Sequence, residues 1–169
     1  PRYTRGSSSA ASYEYKTQIQ YLPLVFADQY DNPYERLLEV YNRPNPPDIG
    51  EPQAITIQDQ TAAYHEFTYS PDDVMTIDGF RVYMWLGDVD LITTAYVLDP
   101  TRYDELETVV FDLLETATYT PSGDHIAPDG WFTYFEGNCH FRFDYPSNWI
   151  TTSLSNQLLV FNSADAQEA

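Results

Sequence analysis

Phe141-Arg142-Phe143-Asp144-Tyr145-Pro146-Ser147-Asn148-Trp149-Ile150 is the stretch whose reading decides the fold. Phe141, Phe143 and Tyr145 alternate with Arg142 and Asp144, the period of a half-buried strand. Pro146 ends the alternation and Trp149 offers a large apolar cap for a core. A strand, a proline and a core tryptophan read like the opening of a domain. Yet they stand near the end of the 169 residues given. The segment is therefore expected to complete a fold whose other elements precede it, in its own chain or in a neighbouring copy, or else to begin a second domain.

Working outward, residues 131–161 hold Trp131, Phe132, Tyr134, Phe135, Phe141, Phe143, Tyr145, Trp149, Leu158, Leu159, Val160 and Phe161. An isolated hairpin is marginal in water. Burying such side chains is worth roughly 1.5–3 kcal/mol each, and leaving them exposed invites aggregation. The hairpin, Trp131–Phe135 and Cys139–Tyr145 around a Glu136-Gly137-Asn138 turn, must therefore pack on something. Pairing with a neighbouring copy is the expected solution, ahead of closure within the chain.

Upstream, Tyr13, Tyr15, Thr17, Ile19 and Tyr21 share one face of a strand over 13–22. Asp31 or Asn32 caps a short helix over 33–43 with Pro33 in its first turn. Short strands are expected at 53–58 and 62–69. Gly79–Leu86 and Val89–Leu98 flank Gly87-Asp88, a type II′ hairpin signal. Both of these strands are apolar on both faces and so central in a sheet. Asp99-Pro100 opens a helix over 100–117, striped by Leu106, Val109, Val110, Leu113 and Leu114. Tyr119–Gly130 is a loop with two prolines and two glycines. A last strand is expected at 157–161. The expected class is α+β: a single antiparallel sheet with two main helices packed on it. The expected organisation is a linker-like arm (1–12), an α+β body (13–120), a loop (121–130) and a C-terminal hairpin and strand (131–169).

Several of these residues resemble the PsbP-like fold, that of the photosystem II extrinsic subunit and of secreted bacterial lipoproteins. Phe141, Phe143, Tyr145, Pro146 and Trp149 match its opening F-x-F-x-Y-P-x-x-W. Leu158–Phe161 then stand for the strand that follows. Gly79–Leu98 and Tyr103–Thr116 resemble its closing hairpin and helix, and Ile19–Ala63 its middle. Gln60 stands where a glycine is common. The order is permuted, the opening elements coming last. The resemblance implies a non-enzymatic binding protein.

Net charge is −18, with Lys16 the only lysine. Such a surface repels nucleic acid and anionic membranes and attracts cations or a basic protein partner. Lysine depletion with many Tyr, Thr, Asn and Asp points to an extracellular or cell-surface protein. No stretch is apolar long enough to span a membrane. The residues given include no signal peptide and no initiating Met, so either the chain is processed or its numbering begins partway along. Cys139 is the one cysteine, which excludes an internal disulfide. His65, His125 and His140 have no metal-ligand spacing, and Cys139 and His140, adjacent on a strand, point to opposite faces. No G-x-S-x-G or phosphate-cradling loop occurs, and no catalytic residue is expected. Tyr and Trp could line a sugar groove between two acids, though strand tyrosines serve sheet packing more often.

Calcium is the one cofactor the acidic loops would admit, with Asp72, Asp73 and Asp78 as candidate ligands. Helix capping and solvated surface account for most of the other acids. The expected function is an extracellular structural subunit that polymerises or docks by strand complementation through its C-terminal hairpin. Its assembly residues would be Trp131, Phe135, Phe141, Phe143, Tyr145, Trp149, Leu159 and Phe161, and its partners other copies of itself. The alternative is a secreted acidic PsbP-like binding module of a larger complex, and, more remotely, a hydrolase with an acidic pair.

Overall fold

A computed structural model describes residues 15–44, 49–70, 76–97, 99–120, 124–137, 140–154 and 157–162. The expected arm at 1–12 lies outside them, as do Asp72, Asp73 and Cys139.

Ten strands and two helices follow in chain order. They are β1 (Tyr15–Pro23), α1 (Pro33–Tyr41), β2 (Gln53–Ile57), β3 (Gln60–Tyr69), β4 (Ile77–Leu86) and β5 (Val89–Val97). Then come α2 (Tyr103–Glu115), β6 (Thr118–Tyr119), β7 (Trp131–Glu136), β8 (Phe141–Pro146), β9 (Trp149–Leu154) and β10 (Gln157–Asn162). The main sheet is antiparallel, in the order β2-β3-β4-β5-β1-β10-β9. A second antiparallel sheet has the order β6-β8-β7. The α+β class and the helix-covered antiparallel sheet are as expected. A single sheet is not: β8 leaves the main sheet to pair with β7 and β6, while β9 and β10 return to it. Strand β9 was not legible, because Trp149-Ile150-Thr151-Thr152 carries no polar–apolar alternation.

Local chemistry sets the element ends. Asn32 accepts a hydrogen bond from the Glu35 amide at 3.0 Å, and Pro33 takes the first position of α1. Asp99 caps a single 3-10 turn, Pro100–Arg102, so α2 begins three residues later than the sequence implied. Gly87 has φ +59, and the described Asp88 that follows does not share a positive φ, as a type II′ turn requires. The β2–β3 turn is of the opposite habit, with both Gln58 (φ 51) and Asp59 (φ 59) left-handed.

The two faces of the main sheet differ. Ile19, Tyr21, Tyr64, Phe80, Val82, Met84, Leu91, Ala95 and Val97 are buried on one. Helix α2 covers that face with Leu106, Val110, Leu113 and Leu114, all fully buried. The small sheet completes the cover: Phe141 and Phe143 are fully buried in the same cluster, and Phe141 meets Tyr21 edge-on with ring centres 5.3 Å apart. Among the described helices, α1 lies on the opposite face, where it buries Leu37 and packs on β3 and β4.

The C-terminal segment closes in cis. Strand β10 pairs with β1 from Lys16↔Phe161 to Gln20↔Gln157, and β8 pairs with β6 through Thr118↔Arg142. Pairing with a neighbouring copy was the expectation; within the single chain the same strands find partners in cis. The physical reason is position: β1 offers a free edge beside β5, and the space under α2 accepts Phe141 and Phe143 without leaving the chain.

Candidate functional site

In a strand, side chains alternate between faces, and register partners share a face. The open face of the main sheet therefore carries His65, Phe67 and Tyr69 of β3, Ile77, Arg81, Tyr83 and Trp85 of β4, Asp90, Ile92, Thr94 and Tyr96 of β5, and Lys16, Gln18 and Gln20 of β1. Helix α1 occupies one end of this face. There Arg36 Nη1 donates to Asp90 Oδ2 at 2.6 Å, and its guanidinium carbon lies 3.8 Å from the centre of the Phe26 ring. Asp90 is buried, and burial pushes its carboxyl up although Arg36 pulls it down.

Among the described residues the other end is uncovered. A groove of about 270 Å³ runs between Phe67, Tyr69, Ile77, Arg81, Thr94 and Tyr96. Gly79 lets Phe67 lie flat: a Cβ there would meet the Phe67 ring at 2.6 Å and the Ala95 carbonyl at 2.5 Å. Without one, Phe67 lies across the strand. Arg81 Nε donates to Thr94 Oγ1 at 2.9 Å, and its guanidinium carbon stands 5.8 Å from the Phe67 ring centre. Behind Arg81, Tyr83 OH lies 3.4 Å from His65 Nε2. His65 is fully buried, and burial, with the Arg81 charge adding, holds its imidazole below the ordinary range. The ring is enclosed between strands, with Phe67 and Tyr83 as its aromatic neighbours.

Charge is distributed unevenly. Among the described residues Arg36, Arg43 and Arg102 each hold a carboxylate. Arg81, Lys16 and Arg142 hold none, and the first two share the open face. The only acid among the strand residues of that face is Asp90, already paired.

On the covered face, Tyr64 OH donates to Glu107 Oε1 at 2.8 Å and lies 3.1 Å from Tyr103 OH. Burial first, then the surrounding carboxylates, push the Tyr103 hydroxyl up to about 12. These groups are locked as donors. A cleft of about 230 Å³ beside them holds Glu66 and Asp78. Asp78, the one calcium candidate that is described, accepts from Thr68 Oγ1 at 3.0 Å. Among the described residues no three His, Cys, Asp or Glu side chains gather as metal ligands.

The small sheet presents the last candidates. His125 Nε2 lies 2.8 Å from Asp144 Oδ1, and Thr133 Oγ1 donates to the same oxygen at 2.8 Å. Asp144 is buried on β8, and the pair ties the 124–130 connection onto the hairpin. Of the expected assembly residues, Phe141, Phe143 and Trp149 are buried in the core, Trp131 and Tyr145 half-buried, and Phe135 exposed. Leu159 and Phe161 pair by backbone with Gln18 and Lys16. Sequence reasoning passed over Arg81 and Asp144, because a single charge inside an alternating strand looks the same whether it faces solvent, a groove or an ion pair.

Comparison with protein-family models, with curated proteins and with solved structures found no match.

Proposed function

We propose that this chain is a non-catalytic extracellular assembly module that docks by strand addition through its C-terminal hairpin, using the outer edge of β7. The observation that carries the reading is the place of β7. It pairs with β8 on one side and, among the described residues, with nothing on the other. Phe132 and Phe135 are 55 % and 57 % exposed. Three residues apart on a strand, they stand on opposite faces, so an added strand would meet one ring on each side. An exposed apolar edge of this kind is a template for pairing.

Donation of the whole hairpin to a neighbour is a less favourable form of the same idea. It would first have to open the chain's own core at Phe141 and Phe143, worth roughly 1.5–3 kcal/mol each, before a neighbour's hairpin could refill it. Edge pairing keeps them filled. The occupant is a second copy, β7 beside β7 across a two-fold axis, which joins the two small sheets into one. The net charge of −18 on each copy opposes this. Within β7 only Glu136 is charged, so salt should strengthen association by screening the rest. The PsbP-like resemblance supports a non-catalytic role.

Sedimentation velocity over a range of concentrations and salt tests this. Self-association that grows with salt and is lost in Phe132→Lys/Phe135→Lys, with the far-UV spectrum unchanged, is the expected result. A native chain that stays monomeric throughout, or a double variant that associates equally well, would refute it. A second reading, an acidic module docking a basic protein, draws on the excess of 26 acidic over 8 basic residues.

A further inference from the structure

We propose that the uncovered end of the main sheet binds a small aromatic carboxylate, its ring held in the Phe67–Tyr69–Tyr96 groove and its carboxylate on Arg81. This goes beyond the docking of β7 and does not rest on it.

In a chain of net charge −18, a guanidinium would be expected to find a carboxylate. Arg81 has none among the described residues, while Arg36, Arg43 and Arg102 each have one. Its Nε is spent on Thr94 Oγ1, which fixes the plane of the head group. Among the described residues its Nη1 has only a long contact with Tyr83 OH, at 3.5 Å, and Nη2 has no partner. The two terminal nitrogens of a planar, oriented guanidinium match a carboxylate in a two-point contact.

Thr94 adds a donor. Its hydroxyl oxygen accepts from Arg81, so its own proton is free to point at an acceptor in the groove. Lys16, two strands away on the same face, adds a second positive charge and has no acid of its own. The single acid among the strand residues of this face, Asp90, is neutralised by Arg36 under α1.

The rest of the groove selects the body of the ligand. Phe67, Tyr69, Tyr96 and Ile77 present flat and apolar surface. Tyr69 is 58 % exposed, an apolar area with nothing packed on it among the described residues. A volume of about 270 Å³ holds one ring with a short acid arm and is small for a folded partner. Aromatic rings stack or meet edge-on with such walls. The Arg81 guanidinium, a free hydroxyl proton and three aromatic walls in the groove, with Lys16 on the same face, fit an anion attached to a ring better than a sugar, which needs acceptors as well as donors.

The test is an NMR titration of the native chain with benzoate, and in parallel with benzamide, its neutral counterpart of the same shape. Benzoate should shift the Arg81 side-chain Nε–H and the Thr94 and Tyr96 amides in a saturable way. Benzamide should bind at least about tenfold more weakly. Arg81→Gln should weaken benzoate by about tenfold or more, and Lys16→Gln by a few-fold. Arg43→Gln, remote and exposed, should leave it unchanged. No saturable shift with benzoate up to about 10 mM, equal binding of benzamide, or shifts centred away from β3–β5 would each overturn the proposal. The benzoate-to-benzamide comparison needs no variant, so misfolding of Arg81→Gln would not obscure the outcome.

Discussion

Arg36 on α1 reaches across to Asp90 on β5, nitrogen to oxygen 2.6 Å, and this ion pair pins the helix to the open face of the sheet. The second oxygen of Asp90, Oδ1, is buried without a hydrogen-bond partner. The pair is thus incompletely satisfied, and burial dominates the Asp90 carboxyl, whose pKa is raised. Removing Arg36 alone should be costly, because it strands a buried charge. Arg36→Ala should lower stability by about 3 kcal/mol at neutral pH, the lower end of the range for a broken buried pair, since the Arg36 side chain keeps 28 % of its surface in water. Arg36→Ala/Asp90→Asn should recover most of that loss. A carboxyl raised on folding binds its proton more readily in the native state, so the deficit of the single variant should shrink as pH falls toward 4. Urea titrations of the three proteins at pH 7 and pH 5 check both parts.

His65 gives a pH effect of opposite sense. Its imidazole is neutral in the fold and its pKa lowered, chiefly by burial. The unfolded chain therefore binds the extra proton first. The contribution is fully present above the unfolded value of about 6.5 and is lost as pH falls below it. His65→Asn should flatten the decline of stability between pH 7.5 and 5.5 relative to the native chain. An unaltered slope would mean that His65 titrates freely.

The β2–β3 turn also serves as a cap. Gln58 Nε2 donates to the carbonyls of Leu114 (2.8 Å), Glu115 (3.1 Å) and Ala117 (2.6 Å), at the C-terminal end of α2. The Leu114 carbonyl also accepts from the Ala117 amide at 3.1 Å, so Gln58 reinforces a backbone C-cap that is already there. Gln58→Ala should cost about 1–2 kcal/mol in thermal or urea unfolding. Asp59, next to it at φ 59, makes no such contact. Asp59→Gly should therefore be neutral or stabilise by up to about 1 kcal/mol, because glycine accepts a left-handed backbone without strain.

Trp149, at the start of β9, is 5 % exposed and belongs to the main core. Trp149→Ala should cost about 3–5 kcal/mol. A loss below about 1 kcal/mol in a denaturant titration would mean that β9 contributes little to the fold.

The sequence by itself determined the local elements wherever a period or a cap spoke plainly. The α2 stripe, the Gly87 hairpin and the Asn32-Pro33 start of α1 were legible because each is decided by residues within one or two turns of each other. The need to bury Phe141 and Phe143 was equally plain, since hydrophobic burial depends on composition and not on direction. Where they would be buried was not. Cis or trans pairing of β10, the division into two sheets and the site around Arg81 depend on residues tens of positions apart, and on which face each strand turns to the core. Strand period alone cannot tell the covered face from the open one. Only the placement of α1 and α2 on opposite sides of the sheet made Asp90 a buried partner and left Arg81 in an open groove.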